Sequence, residues 1–282
     1  MKNTPNISII QNDVQRALQE DLGAGDVTAN LLPEDLSVAA KIISREPMLV
    51  CGQPWAEQSF LCLNPNMDIQ WLVQEGSFLK EPSTLCTIQG QARNLLTAER
   101  TALNFLQTLS ATATKTHAMA QLLNGTNTKL LDTRKTIPGL RHAQKYAVTC
   151  GGGHNHRMGL YDAFLIKENH ILACGSIKAA IRAARASHPL LFIEIEVENL
   201  DELHQALKEE PHRILLDNFT LDDIQRAVTI AAKYNTDLEV SGGIDARNIK
   251  AMASTGVDYI SVGALTKSIQ AIDLSLQITR TL

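Results

Sequence analysis

Between Thr128 and Gly263 short apolar runs alternate with longer segments of helical spacing, and each run stops on a polar, charged or glycine residue. Residues 128–131 lead into Asp132-Thr133-Arg134-Lys135, and residues 162–166 into Lys167. Residues 191–195 stop at Glu196, 214–216 at Asp217, 238–240 at Ser241-Gly242-Gly243, and 259–262 at Gly263. These stops fall roughly 20 to 30 residues apart, the length of one strand, one helix and two short loops. A strand covered on both faces reads as a continuous apolar run, so the runs predict parallel strands. Helical spacing predicts helices over 112–123, 140–149, 177–186, 200–209, 221–233 and 246–255. Asp201 and Asp222-Asp223 stand at helix starts, where acids suit the backbone dipole. Such alternation predicts a (β/α) barrel whose C-terminal strand ends share one face, the face on which barrels place their chemistry. Only six strand runs are clear, so the expectation is an open, incomplete TIM-like barrel.

The first 110 residues carry a different pattern. Ile10, Val14, Ala17 and Leu18 repeat at helical spacing over 9–21, and a glycine- and acid-containing loop follows at Leu22-Gly23-Ala24-Gly25-Asp26-Val27-Thr28. Short runs at 39–44, 48–51, 68–73 and 84–89 are separated by Pro47, Asn64-Pro65-Asn66, Gly76 and Gly90. That pattern predicts a small antiparallel sheet with helices, an α+β sandwich. A helix is predicted over 92–109, from Leu95, Leu96, Ala102, Leu103, Phe105 and Leu106. Near the end, Ile272, Leu274, Leu276 and Ile278 alternate with polar residues, which predicts a half-buried strand over about 271–279. Strict alternation suits an antiparallel sheet, so this strand is expected to return to the first domain. The predicted division is 1–110 for the sandwich and 111–282 for the barrel.

Composition narrows the functional classes. The chain has 282 residues, 44% hydrophobic and 20% charged, ordinary for a globular enzyme. A formal net charge of −4 supplies no basic field for nucleic acid. Five cysteines, an odd number without a C-x-x-C pair, argue against a disulfide framework or a zinc knuckle and fit a reducing compartment. The opening Met1-Lys2-Asn3-Thr4-Pro5 leads into a polar segment without the apolar core of a secretory signal. No apolar stretch approaches the roughly 20 residues that span a bilayer. A cytoplasmic location is expected, with no membrane partner.

Against this acidic balance, Arg134, Lys135, Arg157 and Lys167 set four cations at or near strand ends. Any one of them could be a solvated side chain beside a carboxylate. Together they imply a strongly anionic ligand, because like charges held close are costly until an anion neutralises them. Glu196 and Asp217 form the acidic counterpart. They could simply pair with lysines, or could hold Mg²⁺ or a ribose diol, since hard carboxylate oxygens serve both. Ser241-Gly242-Gly243 and Gly263 close two successive late strands. They read either as plain turns or as a phosphate cradle, where glycine lets backbone N–H groups approach an anion. Gly151-Gly152-Gly153-His154-Asn155-His156-Arg157 combines a flexible run with two histidines, and His170 lies near in sequence. Surplus cations and the lack of a tetrahedral ligand set argue against zinc there and for histidines that orient neighbours or substrate. Neither a G-x-S-x-G elbow nor a P-loop is present, which weakens hydrolase and nucleotide-kinase readings.

These motifs, in this order, resemble the quinolinate phosphoribosyltransferase family of NAD synthesis. The resemblance runs from Glu20-Asp21-Leu22-Gly23-Ala24-Gly25-Asp26-Val27-Thr28 through Asn94-Leu95-Leu96-Thr97-Ala98-Glu99-Arg100-Thr101-Ala102-Leu103-Asn104. It continues over Asp132-Thr133-Arg134-Lys135-Thr136, His156-Arg157-Met158-Gly159-Leu160 and Leu165-Ile166-Lys167-Glu168-Asn169-His170. It ends with Glu194-Ile195-Glu196-Val197-Glu198, Leu215-Leu216-Asp217-Asn218 and Ser241-Gly242-Gly243-Ile244. The resemblance implies a homodimer in which Arg100 enters the partner's site to hold a quinolinate carboxylate. It implies that Thr133, Arg134, Lys135, His156, Arg157 and Lys167 bind quinolinate and the phosphates of phosphoribosyl pyrophosphate, with Lys135, Glu196 and Asp217 central to catalysis. Glu196 and Asp217 would hold ribose hydroxyls or Mg²⁺, directly or through water, and Ser241, Gly242, Gly243 and Gly263 the 5′-phosphate. Two other readings stay open: a phosphoribosyltransferase for nicotinate or another base, and a non-catalytic relative that binds an oxyanion or phosphorylated metabolite.

Overall fold

The computed structural model describes residues 4–282, so the first three residues of the polar opening segment lie outside it. The chain forms two compact units. One comprises residues 1–117, 136–152 and 265–282, and the other residues 118–135 and 153–264.

The first unit contains helices α1 (Ile7–Leu22) and α2 (Gln53–Leu63) and strands β1 (Ser37–Ser44), β2 (Met48–Leu49), β3 (Asp68–Trp71), β4 (Phe78–Leu79) and β5 (Ser83–Gln91). Asn6 caps α1 by accepting the Ser8 N–H at 3.1 Å, and Gly23, at φ 49°, ends it. Pro54 at the first turn explains how α2 starts, a helix that the sequence pattern did not reveal. β1 pairs antiparallel with β5, which pairs with β3. β12 (Leu274–Thr281) pairs antiparallel with the other side of β1, giving the order β12-β1-β5-β3. Alternation at Leu274 and Leu276 thus places one face of β12 against the core built from Val38, Ile42, Leu85 and Ile88.

Residues 92–121 form one continuous helix, α3 (Ala92–Gln121), where two helices were expected with a break near 110. No proline or glycine interrupts this stretch, and the hydroxyls near residue 110 bond in ways compatible with a helix. Ser110 Oγ accepts the Cys51 N–H at 3.0 Å and donates to its carbonyl at 2.9 Å, while Thr112 Oγ1 donates to the Thr108 carbonyl one turn back. α4 (Arg141–Cys150) also belongs to the first unit, so the two units are not consecutive halves of the chain. Its Tyr146 ring lies 5.6 Å from the fully buried Trp55, inside the cluster of Val14, Leu109 and Ala147. Burying each such side chain contributes about 1.5–3 kcal/mol, enough to hold α4 where its apolar stripe is covered.

The second unit is a six-stranded parallel sheet. Its strands are β6 (Lys129–Leu131), β7 (Ala163–Ile166), β8 (Phe192–Val197), β9 (Arg213–Asp217), β10 (Asp237–Ser241) and β11 (Tyr259–Ser261). The order is β6-β11-β10-β9-β8-β7, and all six predicted runs take part. The loop residue His154 bridges β6 beyond its last neighbour, so the sheet is an open barrel. Between the strands run α5 (Glu168–Cys174), α6 (Ile177–Ser187), α7 (Leu200–Leu207), α8 (Leu221–Ala231) and α9 (Ile249–Ala253). Ser176, Asn199 and Thr220 cap α6, α7 and α8 through their side-chain oxygens. α5 was not expected. It starts at Lys167, whose backbone N–H donates to His170 Nδ1 at 3.0 Å. Outward strand residues such as Ile193, Ile195, Ile214, Leu216, Leu238 and Val240 are buried.

Candidate active site

Every strand-end residue singled out in the sequence falls in the second unit, and Arg100 alone falls in the first. Asp217 and Ser241 are the last residues of β9 and β10 and face each other in register. Glu196 lies one residue before the end of β8, Lys167 just after β7, and the Thr133-Arg134-Lys135 group just after β6. Lys167 Nζ and Glu196 Oε2 form a short ion pair between neighbouring strand ends. Asp217 Oδ2 accepts the Asn218 Nδ2–H at 2.8 Å, and Asn218 itself sits at φ 56°.

Two glycines are required by close approach. A Cβ on Gly242, at φ 97°, would stand 2.0 Å from Asn218 Oδ1 and 3.0 Å from its backbone nitrogen. A Cβ on Gly263 would stand 2.9 Å from Lys135 Cδ and 3.5 Å from Thr133 Oγ1, so the β11 loop lies directly beside the β6 loop. Gly243, at φ 58°, faces open space. Thr133 Oγ1 accepts the Lys135 N–H at 3.1 Å and so shapes the turn that presents Lys135.

The cationic side is held under tension. Burial and the neighbouring charge of Arg134 hold the Arg157 guanidinium below its ordinary value, while Glu194 and Asp162 act the other way. Arg157 Nη1 donates to the Ala163 carbonyl at 3.2 Å, and Arg134 Nε is buried with no hydrogen-bond partner. A bound anion would favour the charged form of Arg157 and could accept from the unpartnered Arg134 Nε.

Beneath this face the barrel interior is ionic, where apolar layers usually fill such barrels. The inward parity of β8, β9 and β10 carries Glu194, Arg213 and Glu239. His156 Nε2 lies 2.8 Å from Glu194 Oε2 and 3.6 Å from Glu239 Oε2, and Arg213 Nη1 lies 2.9 Å from the same Glu239 oxygen. The Arg213 guanidinium also stacks 3.7 Å from the Tyr259 ring centroid. Burial pushes Glu194 up to about 7; burial and then the Glu194 charge push Glu239 up to about 7 as well. On the other side of the imidazole, Nδ1 accepts the Arg157 N–H at 2.7 Å, so the ring proton is assigned to Nε2. The His156 N–H donates to Oδ1 of the fully buried Asp132 at 2.9 Å. Sequence reasoning assigned roles to none of Asp132, Glu194, Arg213 or Glu239. The signal was present as acids at alternate positions inside runs otherwise read as buried on both faces. The other histidines have backbone duties: His154 bridges β6, and His170 accepts at the start of α5.

Residues 26–110 match the family model of the quinolinate phosphoribosyl transferase N-terminal domain, and residues 112–277 match that of its C-terminal domain. The chain belongs to the quinolinate phosphoribosyltransferase family. It is 43% identical over 278 residues to the nicotinate-nucleotide pyrophosphorylase (carboxylating) of Mycobacterium leprae, covering 95% of this chain and 96% of that protein. It is 36% identical to a quinolinate phosphoribosyltransferase (decarboxylating) of Nicotiana tabacum, covering 94% of this chain and 81% of that one. The solved nicotinate-nucleotide pyrophosphorylase of Francisella tularensis superposes with a TM-score of 0.93 at 48% identity, covering 99% of each chain.

Within this quinolinate phosphoribosyltransferase family member, the sequence motifs divide into structural and site-forming groups. In the loop after α1, Asp26 accepts the Thr28 and Ala29 N–H groups at 2.9 and 3.0 Å and the Thr97 hydroxyl at 2.8 Å. Those bonds hold its carboxyl below the ordinary range and tie the loop to α3. Arg100 lies one turn beyond Thr97 on the same helix and is exposed. Among the described residues, no helix is long and apolar enough to cross a membrane.

Proposed function

We infer that this chain transfers the phosphoribosyl group of phosphoribosyl pyrophosphate to the ring nitrogen of quinolinate. The 2-carboxylate then leaves as CO₂, so the products are nicotinate mononucleotide, pyrophosphate and CO₂. The observation that carries the reading is the gathering of Lys135, Lys167, Glu196, Asp217 and Ser241 at the C-terminal strand ends of one parallel sheet, beside the Gly242 and Gly263 loops. Membership of the family supports it.

In this reading Arg134, Arg157, Lys135, His156 and Lys167 surround the anionic substrates, and Ser241, Gly242, Gly243, Gly263 and Thr133 shape the phosphate cradle. Glu196 and Asp217, on neighbouring strand ends, hold the ribose hydroxyls and stabilise the oxocarbenium-like sugar. The same two carboxylates would offer the hard oxygen donors that suit Mg²⁺. Bound Mg²⁺ offsets the charge that develops on the pyrophosphate leaving group. Alkylation makes the pyridine nitrogen cationic, so it stabilises the electron pair left at C2 when the carboxylate departs as CO₂, and a proton from solvent water then forms the C2–H bond of the product. No strong general base is needed, only position and field. Arg100, exposed on its helix, reaches a partner subunit's quinolinate in a homodimer, and the five free thiols fit a cytoplasmic enzyme.

Purified protein, Mg²⁺, phosphoribosyl pyrophosphate and either quinolinate or nicotinate, assayed for mononucleotide and CO₂, test this directly. Product with quinolinate and release of CO₂ are expected. Turnover of nicotinate alone would move the assignment to another base, and no turnover with either would favour a binding protein.

A further inference from the structure

The cation pair at the barrel face poses a physical problem before substrate arrives. Burial and the charge of Arg134 both disfavour the charged form of Arg157. Its guanidinium has one fixed tie, to the Ala163 carbonyl, and its backbone N–H has another, to His156 Nδ1. The imidazole in turn is fixed from below, because Nε2 lies 2.8 Å from Glu194 and 3.6 Å from Glu239. Glu239 is anchored by Arg213 at 2.9 Å, and Arg213 is clamped by the Tyr259 and Phe192 rings at 3.7 and 5.2 Å. Glu194 and Glu239 are 1% and 0% exposed, so neither reaches the solvent side of the barrel. Each keeps one oxygen, Oε1, without a hydrogen-bond partner, which leaves negative potential directed at the neighbouring cations.

We propose that Arg213, Glu239 and Glu194 are positioning residues for quinolinate, which act through His156 to hold Arg157. None of the three touches substrate. The Glu194 and Glu239 carboxylates supply from below the negative charge that the substrate's carboxylates supply from above. The imidazole transmits this to the Arg157 backbone in a single tautomer. Because both ring nitrogens are engaged inside the protein, His156 also acts by orientation. The proposal rests on the quinolinate reading of the site. It goes further by tying affinity for one substrate, the dicarboxylate, to residues in the barrel's interior. None of these contacts is made by Ser241, Gly242 or Gly243, so affinity for phosphoribosyl pyrophosphate depends on the chain much less.

Glu239→Gln keeps the shape and removes the charge, and is the variant of choice. The KM for quinolinate should rise by about tenfold to a hundredfold, the penalty of a misplaced binding group, with the KM for phosphoribosyl pyrophosphate changing less than about twofold. Calorimetric titration with phthalate, a benzene dicarboxylate, should show the same weakening without turnover. Should Glu239→Gln fail to fold, Glu194→Gln, which removes the other interior charge 2.8 Å from His156 Nε2, is read in the same way. Unchanged quinolinate KM and phthalate affinity in a folded variant would overturn the proposal, as would equal loss for both substrates, which a merely structural role would give. Wild-type protein that binds no dicarboxylate and turns over no quinolinate would instead overturn the functional reading, and this proposal with it.

Discussion

Gly242→Ala is the sharpest perturbation of the proposed phosphate cradle. Gly242 stands at φ 97°, where any L side chain is strained, and its Cβ would lie 2.0 Å from Asn218 Oδ1 and 2.7 Å from Asn218 Cγ. The backbone conformation alone costs about 1–2 kcal/mol. Relieving the overlap costs about a further 1–3 kcal/mol, because Asn218 must move. Gly243→Ala is the control, since its φ is also positive but its Cβ meets nothing. Thermal melting of both variants separates the two contributions. At roughly 2–4 °C per kcal/mol for a chain of this size, Gly242→Ala should melt at least about 2–4 °C below Gly243→Ala. The same movement frees Asp217, which Asn218 holds at 2.8 Å. Catalytic efficiency with phosphoribosyl pyrophosphate should therefore fall about tenfold or more in Gly242→Ala, with the smaller effect in the control. Equal melting temperatures and equal efficiencies for the two variants would refute the packing argument.

Lys135→Ala and Arg157→Ala should each lower turnover by about 10²–10³ or more while the melting temperature barely moves; near-normal activity in either would remove the role assigned to it. Arg100→Ala and Lys135→Ala should be inactive separately. Co-expressed, they should recover about a quarter of wild-type activity, because half of randomly formed dimers carry one intact site; failure to recover any would rule out a shared site. Burial raises Glu194 and Glu239 to about 7 in the folded chain from an ordinary 4.5, so the folded state holds more protons between those values. This contribution to stability is present at low pH and is lost as pH rises from about 4.5 to about 7. Glu239→Gln should accordingly show a flatter melting profile across that window, and parallel profiles would contradict the assignment.

Much of the second unit was legible because apolar periodicity is set by burial, and outward residues such as Ile195 and Leu216 are covered along both neighbours. The stops were legible for the same reason, since a charge ends a covered run. The interior of the barrel was less so. Glu194 and Glu239 sit inside the runs, and only their parity, matched to Arg213 across the sheet, shows that they meet. Parity becomes informative only once register is known, and register is a property of the folded sheet. The break expected near 110 does not form: Ser110 and Thr112, whose hydroxyls bond to Cys51 and back along the helix, continue α3. α5 escaped because its cap is a histidine nitrogen and not one of the usual short side chains.

The last strand carries a consequence for synthesis. β12 occupies one side of β1, so until residues 274–281 leave the ribosome, β1 offers an open row of backbone donors and acceptors there. The first unit begins near residue 4 yet cannot complete its sheet until residue 281 has been made, after every barrel strand. The barrel segments are therefore translated inside an unfinished host. A chain stopped a dozen residues early would present the β1 edge permanently, ready to take up a strand from another copy.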